Sequence, residues 1–253
     1  MRVVFITQED PFYLAASFRY ILDHLPPEIE VVAAVVLGGS PFGARHSFLG
    51  KVWRIYDVFG LPFLWHYGRR FLRAKLDRSL SVTRLFSRRG IEILTPASVN
   101  APEFLEVLRQ RRPDVLVSVS GNQIFRRPLI ELAPRGCLNV HSALLPRNRG
   151  LMPTFWALKH GDAETGVSVF YVDDGIDTGP ILVQRRMPIR ERCLDLLLRE
   201  TKRLGAEAVV EALLKIRDGA TETLPNPADS GNYNRFPTRK DVREFLAAGN
   251  RLF

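Results

Sequence analysis

The chain has 253 residues, 46% of them hydrophobic and 25% charged, which suits one large domain or a domain with a long excursion and excludes a generally disordered chain. It carries 36 Lys and Arg against 27 Asp and Glu, a net +9. Residues 39–89 hold eleven basic and two acidic side chains, so the remainder is balanced at 25 of each sign, and a chain-wide electrostatic case for nucleic-acid binding fails.

In chain order, residues 2–7 (RVVFIT) predict a buried strand. Residues 11–25 follow as a helix with Phe12, Ala15, Ala16, Arg19 and Leu22 at helical spacing, and residues 31–37 (VVAAVVL) form a second buried strand. Continuous apolar runs of this kind suit a parallel sheet covered on both faces. After the basic block come a short strand at 91–94, a helix over 101–112, a buried strand over 114–120 and a short helix over 127–132. A strand over 137–141 (CLNVH) then ends on polar residues. This alternation predicts an α/β fold built on an open, doubly wound, mostly parallel sheet. Ligands bind beyond the carboxyl ends of such strands, where Gly121-Asn122 and Asn139 and His141 lie. The second half predicts a helix at 153–159 and strands at 167–172 and 181–187, joined by a turn-rich loop. A long helix over 194–217 follows, then a loop over 221–237 and a final helix over 241–248. The expected organisation is one domain over 1–220, with 39–89 as a helical basic insertion, and a tail over 221–253.

Several chemistries have no counterpart. The first turn, Thr7-Gln8-Glu9-Asp10-Pro11, lacks the glycines of a dinucleotide fingerprint. There is no P-loop, no GxSxG elbow and no CxxC or HExxH signature, and the five histidines form no ligand spacing, so no metal is expected. Two cysteines make no disulfide framework, and the apolar start is too short for a signal-peptide core. A cytoplasmic location is the expectation.

The informative stretch is 136–180. It contains Asn139-Val140-His141, then Ser142-Ala143-Leu144-Leu145-Pro146, Arg149-Gly150, Gly161-Asp162-Ala163-Glu164-Thr165-Gly166, and Asp177-Thr178-Gly179-Pro180. In this order the motifs resemble the formyltetrahydrofolate-dependent formyltransferases, a family that includes methionyl-tRNA, glycinamide-ribonucleotide and sugar-nucleotide enzymes. Formyl transfer to an amine develops an oxyanion and releases an amine proton, so the site needs donors aimed at the oxygen and a group to manage the proton. Asn139 and His141, two apart on a strand, project from one face. By resemblance, Asp177 neighbours His141, favours its charged form and positions a proton-shuttling water. The resemblance also implies 10-formyltetrahydrofolate as cosubstrate, held by loops corresponding to Gly121-Asn122-Gln123-Ile124 and Asp173-Asp174-Gly175-Ile176. Gln8, Asp10, Arg147, Arg149 and Gly150 are the candidate acceptor contacts.

The first turn does not match the phosphate loop of glycinamide-ribonucleotide enzymes, and the C-terminal β-barrel of methionyl-tRNA enzymes has no counterpart after the long helix. Residues 233–241 (YNRFPTRKD) loosely resemble the segment after the core in stand-alone and sugar-amine formyltransferases. The expected acceptor is therefore a sugar-linked or other small amine, ahead of tRNA. The alternatives are a methionyl-tRNA formyltransferase-like enzyme, a formyltetrahydrofolate hydrolase and a catalytically silent membrane- or RNA-binding relative.

Ten of the chain's 25 aromatic residues lie in 39–89. Phe48, Leu49, Val52, Trp53, Tyr56 and Phe59 share a predicted helical face. Leu64, Tyr67, Phe71 and Leu72 repeat the pattern beyond Gly60-Leu61-Pro62, with Arg69, Arg70 and Arg73 nearby. Three uses fit this block: packing on the sheet or at a homodimer interface, a peripheral contact of 45–78 with the inner membrane surface, or an RNA contact.

Overall fold

A computed structural model of the protein describes residues 1–38 and 48–253. Seven strands form the main sheet: β1 (Arg2–Gln8), β2 (Glu30–Leu37), β3 (Glu92–Leu94), β4 (Val115–Val119), β5 (Cys137–His141), β7 (Glu164–Tyr171) and β8 (Ile181–Pro188). Their order is β3-β2-β1-β4-β5-β7-β8. The first five run parallel, β7 pairs antiparallel with β5, and β8 antiparallel with β7. Strand order reverses between β1 and β4, where a doubly wound sheet opens a crevice at its carboxyl ends. The expected α/β architecture is the one observed.

The alternation of buried residues explains the layers. Val3 and Phe5 of β1 join the cluster under α1 (Leu14–His24), α3 (Val82–Arg88) and α7 (Leu194–Arg217). Val4 and Ile6 point the other way, into the cluster under α4 (Pro102–Gln110) and α5 (Arg127–Ile130). Strands buried on both faces must read as unbroken apolar runs, as these do. The helix expected from residue 11 begins at Leu14, because the Asp10 carboxylate accepts hydrogen bonds from the Phe12, Tyr13 and Leu14 amides at 2.9, 2.6 and 3.3 Å and so shapes the entry turn.

The basic block forms α2 (Phe48–Leu76), broken at Gly60, whose φ of 81° only glycine adopts readily. Arg45 and the side chain of Phe48 lie outside the described residues. The expected single apolar face divides. Val58 and Phe59 are buried, with Phe63, against α6 (Pro153–His160), the start of α7 and α8 (Arg239–Ala247), whereas Leu49, Trp53 and Tyr56 are exposed. The apolar arc is wider than the surface that covers it. In the second segment Tyr67 turns inward and Leu72 outward, so those two do not share a face either.

Asp195, in the first turn of α7, fastens α2 to the domain. Its Oδ1 accepts from the Arg70 guanidinium and the Tyr13 hydroxyl, and from the Tyr67 hydroxyl at 3.0 Å, while Arg199 Nε donates to Oδ2 at 3.0 Å. Burial alone would raise the carboxyl, but the hydrogen bonds from Tyr13 and Arg70 overcome it and hold the pKa at about 2. Burial and the Asp195 carboxylate push the Tyr13 hydroxyl up to about 12.

The tail is more than the expected loop. Tyr233–Asn234 (β9) pairs with Arg149–Gly150 (β6), and Leu224 bridges Ile181. Helix α8 starts on a capping box between Thr238 and Asp241, and its Phe245 stacks on Phe155 at 4.7 Å.

Arg70→Ala leaves the Asp195 charge buried with fewer partners and should cost about 3 kcal/mol, read as a lower melting temperature. The depressed Asp195 carboxyl contributes about 2 kcal/mol above pH 4, lost as pH falls from about 4 toward about 2. Asp195→Asn should flatten that acid limb in denaturant unfolding followed against pH; an unchanged limb contradicts the assignment.

Candidate functional site

Asn139 and His141 end β5 and, two residues apart, share a face of the sheet. Asn139 stands level with Ser118 of β4, and His141 with Ser168 of β7. The Asn139 carboxamide is half-buried and has no hydrogen-bond partner among the described residues. The His141 ring is buried, with Nε2 2.8 Å from the Asn148 carbonyl oxygen. A carbonyl only accepts, so Nε2 carries a proton and Nδ1 is left to face Asp177. Asp177 Oδ2 lies 3.6 Å from Nδ1, an ion-pair distance longer than a hydrogen bond, and accepts from the Gly150 amide at 2.9 Å. Asp177 Oδ1 has no partner among the described residues. The three expected catalytic residues thus meet at one place.

Left-handed backbone builds this corner. Asn148 and Asp177 both have φ of 56°, a conformation that Asn and Asp adopt more readily than other side chains do. Gly150, at φ 90°, passes so close to the tail that a Cβ would stand 2.2 Å from the Asn234 carbonyl oxygen. Only glycine lets this amide reach Asp177.

A set of amides that no sequence motif marked holds the corner. Asn148 Nδ2 donates to Asp162 at 3.2 Å, and its Oδ1 accepts from Asn232 and Asn234 at 3.1 and 3.0 Å. Asn226 Nδ2 donates to the Asp177 and Gly179 carbonyls at 3.0 and 2.9 Å. Ser168 and Gln184 fasten the 143–145 segment: Ser168 Oγ donates to the Ala143 carbonyl at 2.8 Å, and Gln184 Nε2 donates to the Leu145 carbonyl at 2.9 Å. These contacts span up to 86 residues, and only an excess of Asn in the tail could have hinted at them.

The two expected cosubstrate loops flank the corner. In the first, Asn122 Nδ2 donates to Gln8 Oε1 at 3.0 Å and to the Gly38 carbonyl at 2.8 Å, and Gln123 Oε1 accepts from the Val99 amide at 3.0 Å. At Gly121 a Cβ would stand 2.8 Å from Ser118 Oγ. In the second, Asp173 Oδ1 accepts from the Gly175 amide and the Thr178 hydroxyl at 3.0 and 2.7 Å. Ile124 and Ile176 are exposed, one on each loop.

The acceptor candidates fare differently. Gln8 braces Asn122, and Asp10 shapes the turn that leads into α1. Glu9 is consumed by the Val82 and Thr83 amides at 3.0 and 3.1 Å. Arg147 is exposed, 3.9 Å from Glu164, whereas Arg149 is buried and donates Nη2 to the Ala228 carbonyl at 2.5 Å. Gly150 serves Asp177. Lys202, which had no assigned role, reaches from α7 to Ser120 Oγ at 2.7 Å, just past β4. Burial lowers its pKa, partly offset by Asp10.

A family model described as formyl transferase matches residues 70–213. A methionyl-tRNA formyltransferase of Myxococcus xanthus is 41% identical over 149 residues, 58% of this chain and 48% of that protein. One from Kosmotoga olearia is 31% identical over 211 residues, 82% of this chain and 66% of that protein. The chain thus spans between about half and two thirds of the length of these curated relatives. Among solved structures, a phosphoribosylglycinamide formyltransferase from Anaplasma phagocytophilum superposes with a TM-score of 0.62 at 15% identity, covering 93% of this chain and 99% of that one. A sugar N-formyltransferase from a Shewanella species gives 0.60 at 17%, covering 98% and 87%. These two likenesses are of fold.

Asn148→Ala removes three side-chain hydrogen bonds inside the corner and should destabilise the protein by about 2–4 kcal/mol in urea unfolding. A loss below about 0.5 kcal/mol would show that the network carries no stability.

Proposed function

This chain belongs to the formyl transferase family, and we propose that it transfers a formyl group from 10-formyltetrahydrofolate to the primary amine of a small or sugar-linked acceptor. The observation that carries this reading is the convergence of Asn139, His141 and Asp177, with one amide and one carboxylate oxygen left unpartnered. The flanking loops fit a flat heteroaromatic cosubstrate: each offers an exposed isoleucine beside backbone groups, and Gly121 keeps the first loop tight on Ser118. One solved relative in fold, a sugar 3N-formyl transferase, is described in the presence of dTDP and 5-N-formyl-THF, with a TM-score of 0.59.

The cosubstrate supplies an electrophilic formyl carbon whose nitrogen leaves. The protein's part is electrostatic and positional. The unpartnered Asn139 amide donates to the oxygen on which charge develops, and His141 adds a second polar group on the same face of the strand. The bond from Nε2 to Asn148 fixes the imidazole plane and leaves Nδ1 toward Asp177. With Oδ2 held by Gly150, Asp177 Oδ1 accepts the proton of the attacking amine, directly or through one water, and returns it to the nitrogen that leaves as the C–N bond to the formyl carbon breaks. No side-chain nucleophile is needed, because the acceptor amine attacks.

A methionyl-tRNA acceptor is the second reading, favoured by the names of the curated relatives. Tetrahydrofolate release measured with nucleotide-linked amino sugars, hydroxyornithine and Met-tRNA separates the two. His141→Ala and Asp177→Asn should each slow turnover on the productive acceptor by about 10²–10⁴. Near-wild-type turnover in either variant refutes the assigned role. Wild-type inactivity across the panel refutes formyl transfer to these amine classes.

A further inference from the structure

The outer face of α2 is unlike the rest of the surface. Before Gly60 it presents Leu49, Trp53 and Tyr56 at i, i+4 and i+7; Leu49 is 77% exposed and Trp53 66%. After Gly60 it presents Leu61, Trp65, Leu72 and Leu76, again one helical stripe, with Trp65 67% and Leu76 86% exposed. Phe63, Tyr67 and Arg70 repeat at i, i+4 and i+7 on another side of the same segment and are engaged with the domain. The outer stripe is therefore no part of the fold's own packing, and exposed apolar side chains in such a row mark an interaction site.

Its setting selects the occupant. Arg69, Arg73, Lys75 and Arg78 are exposed beside the stripe. The two acids of the segment are engaged: Asp57 lies 4.0 Å from Arg239, and Asp77 accepts from Ser79. Trp65, Arg69, Arg73 and Phe253 contribute to the lining of an open concavity of about 340 Å³, which places cationic groups beside an indole. A second copy would bring a like-charged block against this one. RNA would match the cations and aromatic rings but leaves four leucines without a partner. A bilayer with anionic headgroups matches all three: phosphates for Arg and Lys, the interfacial zone for Trp and Tyr, and acyl chains for Leu. Among the described residues no helix is long and apolar enough to cross a membrane, so α2 would lie on the surface.

We propose that the outer face of α2 docks the protein on an anionic lipid bilayer, with Trp53, Trp65 and the leucines entering the interface and Arg69 and Arg73 contacting phosphate. This surface stands apart from the formyl-transfer site, and its test does not use activity.

The test is sedimentation of the full chain with vesicles of phosphatidylcholine, alone or mixed with phosphatidylglycerol, at low and high salt. Three proteins are compared: wild type, a Trp53→Ser/Trp65→Ser/Leu72→Ser variant and an Arg69→Glu/Arg73→Glu variant. The substituted side chains are exposed, and matched thermal melts confirm folding. The expected result is binding to the phosphatidylglycerol vesicles that salt weakens and that each variant loses by at least about tenfold. Wild-type tryptophan fluorescence should shift to the blue on binding. Failure of wild type to sediment with anionic vesicles at low salt overturns the proposal. Undiminished binding by the serine variant, a dimer in light scattering that the serine variant abolishes, or tighter binding to poly(U) than to vesicles overturns it equally.

Discussion

Asn148 holds its backbone in the left-handed region, and every polar atom it owns is engaged. Its carbonyl orients the imidazole of His141, its amide and carboxamide bind the tail, and its Nδ2 reaches the Asp162 turn. The next two residues depend on this corner. Arg149 and Gly150 pair with β9, and the Gly150 amide then meets Asp177. The formyl transfer proposed for this site, which turns on the placement of one amide, one imidazole and one carboxylate, would need such a frame, because pre-organised dipoles act only where they are already aimed.

The frame separates two jobs that the net charge had merged. The sheet and its site are built from a charge-balanced majority of the chain, while the excess of positive charge sits in the excursion between β2 and β3. One buried carboxylate, Asp195, joins the two by gripping Arg70 and Tyr67 of α2 from the start of α7. The excursion is thus held rigidly on one side and left bare on the other.

Much of this was legible in the sequence. The apolar runs of β1, β2 and β4 announce a sheet covered on both faces, and Asn139-Val140-His141 marks the strand end that meets Asp177. Gly60 and Pro62 give the break in α2. Other features have no local signature. Asn226, Asn232 and Asn234 sit in a stretch that reads as loop, because side-chain hydrogen bonds across 47 to 86 residues leave no periodicity behind. Asp10 reads as a candidate acceptor contact, but its carboxylate accepts from the amides that lead into α1, as that of Glu9 does from those at the start of α3. The apolar arc of α2 was visible, but periodicity reports only that an arc exists. Which part of it the domain covers depends on where Phe155, Leu197 and Phe245 arrive from distant parts of the chain.

The pairing of β6 with β9 also has a bearing on biosynthesis. A ribosome delivers His141 and Asp177 well before it delivers Asn232 and Asn234, so the nascent sheet can form while the corner around Asn148 is still open. The contacts that aim the imidazole close late and over long sequence separation, which is the slow kind of contact to make. A chain stalled before its last few dozen residues would therefore hold its motif in sequence without holding it in space.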